Sequence, residues 1–405
     1  MKPSVLFSVT LQMIVFCSCS SGIESSLSIS DCPSEASHSL KISFSEAKTV
    51  AINSYRDFFK NDMARSQSFQ DLSLGDCFCI TSTSDADTLM YVINYADSMG
   101  FALISPIRSE EPIAIVEKGY YNPSNKADNA EFDYYIQQIK EICSEKTTQS
   151  RSALSRAPIS SGIGDIVGEI TSGPYCSVSW GQSGIYGAYC PNGIAGCSNT
   201  ALAQVLSMFE YPQVIDLTFD NSGQMELGWA EIKKHIKGND CDIHSNNTHD
   251  VIAKLMRELG YRSMSDYKDS STGTYPSYSA YVLEQLGYNV MSSEYSDDVV
   301  VKSIPFESGD GLGVDIIVGY DNDNDHVGHM WLIDGYKIIT KRYTSQLVNP
   351  GLGPGVDSNP TYKTFHYNHF NWGWDGNYNG YYISGDYQVG KYNLNNDVFL
   401  YSVSL

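Results

Sequence analysis

The chain has 405 residues, 42% of them hydrophobic, and a formal charge of −21. That length allows two domains with cores of their own. Residues 1–156 hold 13 basic and 19 acidic residues and residues 157–405 hold 13 and 28, so both halves are acidic. This argues against nucleic acid or another polyanion as a partner and gives solubility as the plain meaning of the charge.

In chain order, Lys2 and the apolar run Val5 to Phe16 form an export signal, too short to span a bilayer as a stable helix. It ends in Phe16-Cys17-Ser18-Cys19-Ser20-Ser21-Gly22. A small residue before a cysteine suits lipoprotein processing, so residues 1–19 read as the signal and Cys19 as the lipidation site; ordinary secretion with cleavage nearby is the alternative. Residues 20–44 are Ser-rich and aperiodic, a tether. Ser45 to Phe59 has helical spacing of Val50, Ala51, Tyr55 and Phe58, with Ser45 as N-cap. Leu89–Tyr95, Phe101–Ile104 and Pro112–Val116 read as strands, the first two joined by a turn over 96–100. Residues 45–145 therefore form a small α+β unit. Residues 146–163, with Lys146, Arg151 and Arg156 among Ser, Thr and Ala, read as an exposed linker where a chain is nicked.

The remainder, 164–405, begins with helices and ends with strands. Ala201, Leu202, Val205, Leu206 and Phe209 follow Cys197 at helical spacing, and that helix stops before Pro212. Further helices span 249–259, with Gly260 as C-cap, and 277–286 before Gly287. Strands are expected at 314–318, 330–333, 365–368 and 380–383. The fold class is α+β: a helical lobe and an antiparallel β lobe with chemistry at their junction.

The chemistry starts at Cys197, which follows Gly193-Ile194-Ala195-Gly196 and opens a helix. Unpaired N–H groups at a helix N-terminus favour a thiolate, and a thiolate splits amide hydrolysis into two easier steps. Downstream, His329 opens an apolar strand and suits a general base, whereas His326 sits in a polar loop. Asn371, in Asn371-Trp372-Gly373-Trp374, supplies an amide that orients an imidazole, or else is a turn residue. Gly328 offers backbone groups to an extended peptide.

The order Cys, His, Asn is papain-like. The segments Gly196-Cys197 with its helix, Gly328-His329-Met330-Trp331-Leu332-Ile333-Asp334-Gly335 and Asn371-Trp372-Gly373-Trp374 together resemble the streptopain family of bacterial cysteine peptidases over roughly residues 45–400. The resemblance implies a two-lobed papain-like catalytic domain preceded by an inhibitory pro-domain over 45–145, with 146–163 as the activation linker. It implies Gln182 as an oxyanion donor beside the Cys197 N–H, Trp372 as a wall of the site, and Thr274 in a small-residue loop bordering the substrate.

The expected function is a secreted cysteine endopeptidase made as a zymogen, exported and either lipid-anchored as a precursor or free. Its partners would be protein or peptide substrates and its own pro-domain, with the membrane reached only through a lipid on Cys19. Two alternatives use the same residues: an acyl transferase working through the same thioester, or an inactive surface protein that binds others. No cofactor is expected. The string Asp321-x-Asp323-x-Asp325 lacks the Gly and Glu of a calcium loop, since His326 and Leu332 stand there, and no HExxH motif is present. The disulfide pattern is open; Cys176 and Cys190 either pair or are small buried residues.

Overall fold

The computed structural model describes residues 29–30, 41–60, 72–82, 87–107, 111–123, 130–153, 164–235, 246–305, 312–321, 327–343, 360–385 and 396–405. The signal with Cys19, His326 and residues 154–163 of the expected linker lie outside them.

The N-terminal part is an antiparallel meander of β1 (Ile29–Ser30), β2 (Leu74–Thr81), β3 (Thr88–Tyr95), β4 (Phe101–Ile104) and β5 (Pro112–Val116). Helices cover both faces, α1 (Phe44–Phe58) one and α2 (Ala130–Ala153) the other. Strands β3, β4 and β5 are therefore buried along their whole length, which is why they read as continuous apolar runs without alternation. The N-cap of α1 is Ser43 and not Ser45: Ser43 Oγ accepts from the Glu46 N–H, and the Glu46 carboxylate returns the bond to the Ser43 N–H. This capping box starts the helix two residues early. Its buried stripe is Ala47, Ala51, Tyr55 and Phe58. In the β3–β4 turn, Gly100 has φ +100°, and a Cβ there would stand 2.0 Å from the Val116 carbonyl oxygen, so the turn needs glycine.

Two boundaries differ from the sequence reading. Ile29 and Ser30, inside the expected tether, pair with Ile80 and Cys79 of β2. Helix α2 continues to Ala153 through residues expected to be linker from 146. Lys, Gln, Ser and Thr carry a helix onward once Phe132, Ile136, Ile139 and Cys143 have anchored it.

The C-terminal part starts with β6 (Asp165–Ser172). A helical lobe follows, with α3 (Cys197–Phe209), α4 (Trp229–Ile232), α5 (Asn246–Arg262) and α6 (Pro276–Gln285). The hairpin β7 (Val214–Leu217) and β8 (Gly223–Glu226) and the two-residue strands β9 (Asp266–Tyr267) and β10 (Thr272–Gly273) lie among these helices. The β lobe holds β11 (Asn289–Glu294), α7 (Asp297–Ser303), β12 (Gly313–Asp321), β13 (Val327–Tyr343), β14 (Thr361–Asn371), β15 (Gly380–Ile383) and β16 (Asn396–Ser404). Gly260 is inside α5 and not its cap: a Cβ there would lie 2.0 Å from the Tyr267 hydroxyl and 2.7 Å from Asn199 Nδ2. Its role is close packing.

The two parts share one sheet. Its order is β1-β2-β3-β4-β5-β15-β14-β13-β12-β16-β11, with β6 on the far half of β13. The join is β5 against β15, with Val116 opposite Gly380, Ile115 opposite Tyr381 and Ala114 opposite Tyr382. Cys176 and Cys190 are both free thiols, as are Cys77, Cys79, Cys143 and Cys197. Cys190 and Cys197 belong to the core that α3, α5 and α6 form against Val314, Ile316, Met330 and Leu332 of the sheet, and Cys176 packs against it.

Candidate active site

Cys197 is the first residue of α3 and is buried. Its N-cap, Gly196, has φ +90° and brings no side chain to the first-turn N–H groups. A side chain at 196 would be strained by that φ, and its Cβ would stand 3.0 Å from Thr272. The helix thus presents its positive end at the thiol, with no acidic residue in its own first turn.

Three backbone and side-chain ties gather the other segments around this turn. The Ala195 N–H donates to the Gln182 carbonyl at 2.7 Å. Thr200 Oγ1 donates to the Gly181 carbonyl at 3.1 Å, and a Cβ on Gly373 would be 3.1 Å from Thr200 Cγ2. Gln204 Nε2, one turn further along α3, donates to Asn371 Oδ1 at 3.1 Å and to the Trp180 carbonyl at 3.3 Å. The helix that Cys197 opens, the 180–182 segment and the 371–374 turn are therefore one packed unit.

His329 lies on β13 and is buried. Its Nε2 is 3.0 Å from the Trp372 carbonyl oxygen. A carbonyl only accepts, so Nε2 carries the proton and Nδ1 is the basic nitrogen of the neutral ring. The ring stacks on Trp374 (centroids 4.7 Å apart) and lies nearly parallel to Trp331 (5.6 Å) and Trp372 (6.0 Å). Indole faces favour a cation, so this wall suits a protonated imidazole.

Asn371 does not orient the imidazole. Its Nδ2 donates to the Val178 carbonyl at 2.8 Å, and its Oδ1 accepts from Gln204 and, at 3.4 Å, from the Gly373 N–H. The amide instead fixes the turn whose next carbonyl, that of Trp372, holds the ring. Asn379 supports the same turn, its Oδ1 accepting from the Trp372 N–H at 3.0 Å. Gln204 and Asn379 were missed by sequence reasoning; a glutamine on an otherwise apolar helix face was the available signal for the first.

Trp372, expected as a wall of the site, lies beside the His329 ring and is covered. It stacks on Trp374 at 4.9 Å and Trp331 at 4.7 Å, and Tyr135 and Phe132 of α2 meet it edge-on. Thr274 is buried with Oγ1 2.7 Å from Ser265 Oγ, so its hydroxyl serves a network below the surface and not a substrate. Thr272 is the residue of that loop that meets the turn before Cys197: its Oγ1 donates to the Ile194 carbonyl at 2.8 Å. Gly328 is buried within β13 opposite Tyr320 of β12. Among the described residues no group of three His, Cys, Asp or Glu is arranged for a metal.

The match to known proteins decides the family. The family model of the peptidase C10 family matches residues 180–382, a span that contains Gln182, Cys197, His329 and Asn371 and covers half the chain. The chain belongs to the peptidase C10 family. Among solved structures it is similar to a cysteine-to-alanine mutant of a prointerpain A fragment from Prevotella intermedia, at 22% identity and TM-score 0.51, covering 82% of this chain and 98% of that one. It also matches active interpain A cysteine protease from Prevotella intermedia, at 22% identity and TM-score 0.39, covering 59% and 98%. No curated protein matches. The fold of this C10 chain is thus α+β, a two-lobed papain-like catalytic part preceded by a smaller α+β pro-domain.

Proposed function

We propose that the protein is a cysteine endopeptidase made as a zymogen. The observation that carries this reading is the Nε2–H of His329 held on the Trp372 carbonyl, in a turn that packs through Gly373 on the first turn of the helix that Cys197 opens. That arrangement leaves Nδ1 to take the thiol proton. The Cys197 thiolate attacks the acyl carbon of a peptide, and the tetrahedral oxyanion takes hydrogen bonds from the Cys197 N–H and the Gln182 side chain. The imidazolium returns its proton to the leaving amine, and water then hydrolyses the thioester with His329 as base.

The N-terminal α+β part, over residues 45–145 with the α2 extension, acts as the pro-domain. In support, Phe132 and Tyr135 press on the tryptophans that hold His329. A cut in residues 154–163 separates the two parts covalently. The precursor is exported, with Cys19 as lipid site, and substrates are proteins or peptides.

Purified full-length protein is compared with Cys197→Ala and His329→Gln. Wild type cuts its own linker and a protein substrate, while each variant loses activity by about 10⁴-fold or more and stays uncut by mass spectrometry. A Cys197→Ala chain that still processes itself at the wild-type rate in the absence of other peptidases would refute the assignment.

A further inference from the structure

Strand β5 is bracketed by acids in the segment Glu111-Pro112-Ile113-Ala114-Ile115-Val116-Glu117. Each acid meets a buried cation of the catalytic part. Glu111 Oε2 lies 2.5 Å from Lys341 Nζ on β13, and Glu111 Oε1 accepts from the Tyr343 hydroxyl at 2.9 Å. Glu111 and Lys341 are both more than nine-tenths buried. At the other end Glu117 Oε2 lies 3.8 Å from Nε2 of His369, whose Nδ1 is 2.6 Å from Asp334. Between the two acids the backbone pairs with β15, and the Tyr367 hydroxyl donates to the Pro112 carbonyl at 3.1 Å. The Glu117 N–H donates to the Asn379 carbonyl at 2.9 Å.

We propose that this surface, the β15 edge flanked by Lys341 and His369, is a docking site for an extended strand with acidic side chains six residues apart, and that β5 occupying it keeps the N-terminal part bound after the linker is cut. The argument is one of charge. Lys337, the neighbouring buried lysine, has Glu169 of the catalytic part itself at 3.0 Å. The carboxylate that meets Lys341 comes from across the cut, so departure of the N-terminal part breaks this ion pair, and replacing only one partner leaves the other charge unpaired and buried in the joined state, which is strongly unfavourable. Backbone pairing to β15 gives affinity without selectivity, while the two acids fix the register of the strand. Covalent cleavage and release are then separate events, and activity follows release. This deepens the zymogen reading above and rests on it.

The test uses full-length Cys197→Ala protein carrying a site-specific protease sequence within residues 154–163, cut to completion and diluted on a size-exclusion column. The parent's two pieces co-elute. Glu111→Gln with Glu117→Gln weakens their association by about 30-fold or more. Adding Lys341→Met to Glu111→Gln alone recovers at least about tenfold, because removing both members of a buried pair costs less than removing one. If the double variant fails to fold uncut, Glu117→Gln alone and the Glu111→Gln/Lys341→Met pair carry the comparison. Parent pieces that separate on cutting, or variants that co-elute within about threefold of the parent, overturn the proposal. Peptidase assays on matched Cys197 chains keep the two readings apart. Cut and separated protein with no activity refutes the peptidase, whereas active protein with pieces that never associate refutes only the docking site.

Discussion

Asn371 reaches the site by a different route from the one its place in the chain suggests. A Cys, His, Asn order invites an amide on the imidazole, but the amide bonds Val178, Gln204 and Gly373, and the ring is held by a backbone carbonyl. Side-chain identity is visible in a sequence; which main-chain oxygen a ring will find is not. That Cys197 opens a helix and His329 stands on a strand was legible because glycine, helix period and strand onset mark both places locally. Thr274 was legible as part of a small-residue loop, and its side-chain direction was not, because that depends on the Ser265 hydroxyl it meets. The consequence is measurable. In Asn371→Ala the Val178 carbonyl and the Gln204 amide lose a partner, each costing about 1–3 kcal/mol, so the melting temperature drops. The acid limb of kcat/KM against pH, which reports the imidazole in free enzyme, stays within about 0.3 unit of wild type because the Trp372 carbonyl still holds Nε2. A shift of about one unit without loss of stability would mean that the amide acts on the ring after all.

At the scale of elements, the sequence marks what is amphipathic or capped and passes over what is paired at long range. The three central strands of the N-terminal part and the helix that Cys197 opens stood out from their apolar runs and period. Strand β6 did not: Ile166, Val167 and Ile170 are more than a third exposed, and its reason for being a strand is its pairing with residues 336–342 of β13. Strand β14 is fastened in a similar long-range way. His369 binds Asp334 of β13, and the other Asp334 oxygen accepts from the Cys176 N–H at 3.0 Å. Burial alone would lower the His369 pKa, but the Asp334 carboxylate and then Glu117 outweigh it and hold the value at about 10. A histidine raised above its unfolded value of ~6.5 contributes stability that is complete below that pH and is lost as pH rises through the folded value. Thermal melts of the Cys197→Ala chain should therefore fall from pH 7 to pH 10 more steeply than melts of the same chain with His369→Gln. The variant is the less stable of the two at pH 7, where Asp334 has lost its cation. Parallel curves for the two proteins would show that His369 is not the titrating group.

In the whole molecule the N-terminal part completes the sheet and roofs the aromatic wall behind His329. The α+β class and the division into a small first part and a two-lobed second part could be read from the order of elements. The join between them could not, since nothing local in Pro112–Val116 or Gly380–Ile383 names the other as its partner. The same join predicts an optical signal. Trp331, Trp372 and Trp374 form a stack with His329, and Phe132 and Tyr135 of α2 meet Trp372 edge-on, Phe132 also reaching Trp374. Trp180 and Trp229 sit in the helical-lobe core, apart from α2. Cutting within residues 154–163 leaves every one of these contacts in place, so tryptophan emission should not change at that step. Physical separation of the pieces uncovers the wall to water and should move emission to longer wavelength, together with the change in elution volume. In Phe132→Ala the packing of α2 on the wall is weakened by about 3–5 kcal/mol, so the shift appears under milder conditions. Replacing Trp372 and Trp374 with Phe removes most of it, because the remaining indoles keep their surroundings or lack the α2 contact. Emission that shifts on cutting while the pieces still co-elute, or that stays fixed after they separate, would show that α2 does not cover the residues that hold His329.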